Sequence, residues 1–217
     1  MTALAHERPE TMPETRTEPV FEEGPDLDEV VWQAWKAMEL PEGYRAEIIE
    51  GVIEVSPTGR YSHSQIIFLL REALGDFLRG GDFAARHDTN IIHDGSALIP
   101  DLFVVVRDPE RYVTDDGLGL TAAAVRVIFE VVSPGKRNQD RDRVRKRREY
   151  ARAGIPIYVL IDDYDGQGAV TVFTGPRPDK ADWEDIHRVP YGTDVTIPEG
   201  PAKGFVIDEA ITGPKRG

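Results

Sequence analysis

No cysteine occurs among the 217 residues. That excludes a disulfide framework, a thiolate zinc site and a cysteine nucleophile, and it makes a reducing, cytoplasmic setting the simplest expectation. Histidine is scarce too, with five spread along the chain. A multi-histidine metal site is therefore not expected, and any bound metal would be held mainly by oxygen, which favours Mg²⁺ or Mn²⁺. No uncharged apolar run approaches the roughly 18–20 residues of a membrane span. Met1–Glu10 carries His6, Glu7 and Arg8 without an apolar stretch, so neither a secretory signal nor a membrane partner is expected. What remains is a soluble globular composition, 40% hydrophobic and 30% charged, with room for one mid-sized α/β domain or two small ones with little to spare.

The net charge of −13 argues at first against a nucleic-acid partner, since phosphate binding wants basic surface. The distribution reverses that argument. Residues 1–30 hold nine acids against Arg8 and Arg16, which leaves only −6 for the rest of the chain. Within that rest, Lys136–Arg152 carries nine basic side chains and three acidic ones. The local field matters more than the average.

Residues 1–25 are rich in Glu, Pro and Thr and read as a disordered acidic tail. A single domain is expected over 26–211, with a short C-terminal tail at 212–217. Inside the domain, Asp28–Leu40 reads as a helix with Asp28 as its cap, and Arg45–Val55 as a hairpin turning at Glu50-Gly51. Ser62–Arg79 reads as a second helix, whose apolar stripe includes Ile66, Leu70 and Leu74. Strands are expected over Phe83–Ile92, Ala97–Val106 and Val125–Val132. A basic helix over Asn138–Arg152 then leads into a strand at Ile157–Ile161, with more strands after Gly168. This order predicts an α/β or α+β sheet with helices on both faces.

Two carboxylates occupy informative places. Asp101 begins the apolar run Leu102–Val106, and Glu130 lies near the end of Val125–Val132. An acid inside such a run is costly unless it is paired, hydrogen-bonded or bound to a cation. Neighbouring strands would let Asp101 and Glu130 share a divalent cation. Taken singly, each reads more readily as a strand-end acid facing solvent or paired with arginine, whereas the pair followed at once by a basic helix favours a site. On the basic helix, Asp142, Lys146 and Tyr150 share a face at i, i+4 and i+8, and Arg143 and Arg147 lie on the next stripe. Lys146 could then reach a scissile phosphate or its attacking water. The plainer reading is a solvated basic face with an ordinary Asp142–Lys146 surface pair. His63 could touch phosphate or merely cap its helix, Glu47 could support the site or sit exposed, and Ser133 lacks any Ser-His-Asp arrangement.

Several of these segments together resemble the Uma2 family, within the PD-(D/E)XK nuclease superfamily. They are Pro100-Asp101, Phe129-Glu130-Val131-Val132-Ser133-Pro134, Asp142-Arg143-Val144-Arg145-Lys146 and Glu149–Pro156, with Tyr44–Gly51 and Ser62–Ile67 upstream. The resemblance covers about Asp28–Asp162 and implies a restriction-endonuclease-like mixed central sheet flanked by helices. It implies Asp101 and Glu130 as metal ligands, Lys146 as the catalytic cation and Glu47 as a further carboxylate of the site. Where the superfamily places lysine two residues after Glu130 this chain has Val132, so the cation would come from the next helix. The reading that follows is a Mg²⁺- or Mn²⁺-dependent endonuclease acting on DNA, with Lys136, Arg137, Arg143, Arg147 and His63 as nucleic-acid contacts. A silent nucleic-acid-binding module that keeps the fold is the alternative, and an adaptor working through the acidic tail is a third. A homodimer is expected from exposed sheet edges and the need to cut two strands.

Overall fold

The computed structural model describes residues 26–57 and 59–216; the expected acidic tail at 1–25 lies outside them. Helix α1 (Leu27–Lys36) comes first, then strands β1 (Tyr44–Ile49) and β2 (Val52–Pro57) and helix α2 (Tyr61–Phe77). Four short strands follow: β3 (Phe83–Arg86), β4 (Asn90–His93), β5 (Ser96–Leu98) and β6 (Leu102–Val106). After β7 (Gly119–Thr121) and β8 (Val125–Val131), one helical stretch runs through α3 (Lys136–Asp140), a π-helical turn (Arg141–Lys146) and α4 (Arg147–Arg152). Strands β9 (Ile157–Asp162), β10 (Ala169–Arg177), β11 (Asp182–Pro190), β12 (Val195–Thr196) and β13 (Val206–Ile207) lead to α5 (Glu209–Thr212).

Local chemistry explains most of these boundaries. Asp26, not Asp28, caps α1: its side chain accepts from the Asp28 amide. Glu50 and Gly51 both take left-handed backbone (φ 52° and 70°), the conformation a two-residue hairpin turn demands. The runs expected as single strands at 83–92 and 97–106 each divide in two. Asp88 turns left-handed (φ 52°) between β3 and β4, and Ile99-Pro100-Asp101 separates β5 from β6.

The division sends the halves to different sheets. Strands β3 and β6 join a mixed six-stranded sheet of order β11-β10-β9-β8-β6-β3, in which only β8–β9 is parallel. Strands β4 and β5 join a five-stranded sheet, β2-β1-β5-β4-β7, that the strand count did not anticipate. Because β8 and β9 are parallel, the chain must cross over between them, and the basic helix is that crossover.

The six-stranded sheet is buried on both faces. Val127, Phe129 and Val131 of β8 pack with Ile66, Leu70 and Leu74 of α2 and with the C-terminal segment. Ile128 and Val132 point the other way, towards Ile49, Ile91 and Leu98 of the second sheet and Tyr150 of the crossover helix. The expected C-terminal tail, 212–217, is described as far as Arg216, where Thr212 is buried and Arg216 donates to the Asp163 carboxylate at 2.8 Å. Among the described residues no helix is long and apolar enough to cross a membrane.

Candidate active site

Strand parity brings the carboxylates together. Glu130 alternates with Phe129 and Val131 and so faces the second sheet and crossover helix, among Ile128 and Val132. Leu102 pairs with Phe129 in the antiparallel register of β6 and β8, and continuing that register by one residue sets Asp101 beside Glu130. The Val131 amide donates to Asp101 Oδ2 at 2.9 Å. On β1, Glu47 has the parity of Ile49 and points into the same space, where its Oε1 accepts from the Ile99 amide at 2.7 Å.

The crossover helix supplies the cation. Asp142, Lys146 and Tyr150 are all buried, so the face they share looks inward and is not the surface pair that the plainer reading predicted. Lys146 Nζ lies 2.8 Å from Glu47 Oε1 and 2.9 Å from Glu130 Oε1, and it donates to the Ile99 carbonyl at 3.2 Å. Those three partners match the three hydrogens of an ammonium group. Tyr150 donates to the same Glu130 Oε1 at 2.5 Å. Among the described residues no donor is hydrogen-bonded to Glu130 Oε2. The hairpin is clamped to this helix as well, since Glu50 accepts from Arg148 at 2.7 and 2.8 Å and from Arg145 at 3.2 Å.

The two principal acids are tuned in opposite directions. Burial works against ionisation of Asp101. It is outweighed by the hydrogen bond and charge of His63, which lies 3.1 Å away, and by Arg45 and Lys146, so the carboxyl is held well below its ordinary range. Burial also dominates at Glu130. There Lys146 only partly offsets it, and Asp101, Asp142 and Glu47 add like charge, so the group is pushed up to about 8. Lys146 itself is raised despite its burial, because Glu130 and Glu47 both favour its charged form. His63 is raised against its burial by Asp101. A buried carboxylate that holds its proton so strongly, with one oxygen unengaged, is a group a divalent cation would ionise.

The donor set fits a hard cation. Asp101 Oδ1 has only a 3.4 Å contact to Arg45, and Glu130 contributes Oε2, so two carboxylate oxygens are available, as Mg²⁺ commonly uses. Among the described residues no cluster of three or more potential ligands is assembled. Lys146 lies against both Glu47 and Glu130, which commits Glu47 to the ammonium.

The other expected contacts divide. Lys136 and Arg137 are exposed at the start of the helical stretch. Arg143 is engaged by Asp162 at 2.6 and 3.1 Å, and Arg147 packs over the Phe173 ring at 5.7 Å. His63 is buried on Asp101. Sequence reasoning left out Arg45, Arg141 and Tyr150 as site residues. Arg45 stands two positions before Glu47 on the same strand face, a usable signal. Arg141 was hidden because 3.6-residue periodicity does not align it with Lys146, whereas a π turn brings positions five apart onto one side. It grips Asp142 at 2.8 and 3.2 Å.

Comparison with known proteins adds an independent line. A family model, Uma2, described as "Putative restriction endonuclease", matches residues 32–209. A solved structure, described as a "putative nuclease belonging to DUF820 from Anabaena variabilis ATCC 29413", aligns with a TM-score of 0.62 at 15% identity, covering 83% of this chain and 96% of that one. At that identity the likeness speaks for the fold. No curated protein matches.

Proposed function

The chain belongs to the Uma2 family, and from that premise and the geometry above we propose a metal-dependent endonuclease that hydrolyses phosphodiester bonds in DNA. The observation that carries the reading is the convergence of Asp101 and Glu130 under Lys146, a cation delivered by the crossover helix where the superfamily would use the strand. Val132, at the strand position, belongs to the apolar cluster, so its presence costs the site no charge.

Asp101 and Glu130 are the residues that would hold Mg²⁺ or Mn²⁺. Such an ion lowers the pKa of a bound water and offsets charge on the phosphate. The chain's own groups prepare that position. His63 and the Val131 amide fix Asp101 Oδ2, which leaves Oδ1 towards Arg45. Tyr150 and Lys146 fix Glu130 Oε1, which leaves Oε2 free. With its three partners in place, Lys146 acts by positioning Glu130 and Glu47 and by holding positive charge near the phosphate. Lys136 and Arg137 are exposed cations suited to backbone phosphates. A second copy, needed to cut both strands, would pair at a sheet edge, β11 or β2.

The test is cleavage of supercoiled plasmid and a labelled oligonucleotide at low salt with Mg²⁺, Mn²⁺ or EDTA. Cutting is expected to need metal and to disappear in Asp101→Ala, Glu130→Ala and Lys146→Ala. Salt-sensitive binding without cutting, unchanged in Asp101→Ala, would replace this reading with the silent binding module.

A further inference from the structure

Beside His63 and Arg45 lies a cavity of about 190 Å³. Arg45, Arg60 and Arg141 line it, and among the described residues no carboxylate does, although the chain as a whole carries −13. These arginines keep donors in reserve. Among the described residues Arg45 Nε is buried without a hydrogen-bond partner, a costly condition for a guanidinium nitrogen. Arg141 spends Nε and Nη2 on Asp142 and has Nη1 left.

Arg60 is placed against local preference. It is the N-cap residue of the 17-residue α2, its side chain makes no capping bond, and the first turn holds no acid. The dipole and free amides of that end attract anions and disfavour a cation, and Ser, Thr, Asp or Asn is the usual cap. A bound anion removes the conflict at Arg60 and takes up the donor that Arg141 has left. Gly59 presses the backbone against this wall: a Cβ there would lie 2.4 Å from His63 Nδ1. His63 and Arg45 both line the cavity and both contact Asp101, so an anion in it would be one side chain away from Asp101.

We propose that this cavity is a phosphate subsite: it takes a phosphodiester group of the substrate strand adjacent to the one being cut. The polynucleotide source of that phosphate rests on the nuclease reading; the anion chemistry rests on the cavity.

Binding of a fluorescein-labelled oligonucleotide, single-stranded and duplex in parallel, is measured by anisotropy in EDTA with the full chain, so that no cleavage is involved. Arg60→Ala is expected to weaken binding ~5–10-fold and to reduce the slope of log K against log salt by about one. Arg60→Lys recovers most of the loss. Arg79→Ala, beyond the other end of α2, changes affinity less than about twofold, as a cation away from the bound phosphate should. Thermal melts confirm that each variant folds. Equal effects of Arg60→Ala and Arg79→Ala overturn the subsite. So does protection by inorganic phosphate alongside oligonucleotide binding that ignores Arg60, which would make it a free-anion site. Arg60-dependent binding by a chain that never cuts keeps the subsite and removes the nuclease; cutting and binding that both ignore Arg60 do the reverse.

Discussion

The two faces of the six-stranded sheet use the same strands for opposite ends. Towards α2 every inward residue of β8 is apolar, and Leu70 and Leu74 close against them fully buried. Towards the crossover helix the same strand presents Glu130, and the buried neighbours include Glu47, Asp101, Asp142 and Lys146. One face holds the fold together. The other keeps charge out of water, where each ion is costly unless paired, and on the proposed reading spends stability to hold the groups that act on substrate.

Substitutions should separate the faces. Asp101→Ala and Glu130→Ala are expected to cut the cleavage rate by about 10³-fold or more, about 4 kcal/mol in barrier, while circular dichroism stays native. Lys146→Met leaves Glu47 and Glu130 facing each other without their cation, and is expected to destabilise by about 3–5 kcal/mol in denaturant titrations besides abolishing cleavage. Leu70→Ala, on the other face, should cost about 2–5 kcal/mol of stability while leaving the cutting rate per folded molecule unchanged below its melting range. If Leu70→Ala slowed the chemistry as much as Glu130→Ala does, the division of labour would be wrong.

A smaller effect comes from pH. Glu130 is raised from 4.5 to about 8, so between those values the folded chain keeps a proton that the unfolded chain has released, and stability falls as pH rises. His63, raised above 6.5, acts in the same direction: its stabilisation is lost as pH climbs through its folded value. Asp101, depressed below 3.8, contributes stability at all higher pH and loses it only in acid. In EDTA the Tm should therefore decline from pH 6 to 8.5, and Glu130→Gln should flatten the decline. A Tm that rose over that interval would contradict the environment assigned to Glu130.

The layout of the candidate site was more directly legible in the sequence than the strand order around it. Alternation along Val125–Val132 and the i, i+4, i+8 spacing of Asp142, Lys146 and Tyr150 both survive folding, because each depends on one element's period. The second sheet was not legible, since whether β3 and β4 share a sheet depends on where the chain turns in space. A sharper reading of Asp94-Gly95, both left-handed (φ 41° and 76°), would have marked the β4–β5 hairpin. The π turn had no signature at all; it shows only as the inward rotation of Arg141. The basic helix was correctly read as concentrated charge, yet several of its arginines serve Glu50, Asp162 and Asp142. Spacing alone does not reveal which cations the fold has already claimed.

The measurement closest to the heart of this is a Mn²⁺ titration of the full chain, followed by electron paramagnetic resonance at pH 6 and pH 8 with Glu130→Gln alongside. Occupation of a site between Asp101 and the unengaged oxygen of Glu130 must displace the proton that Glu130 holds. Binding should tighten markedly from pH 6 to pH 8 in the wild type and be lost in Glu130→Gln. Mn²⁺ binding that is indifferent to pH and survives Glu130→Gln would show that the two carboxylates under Lys146 are not the metal centre.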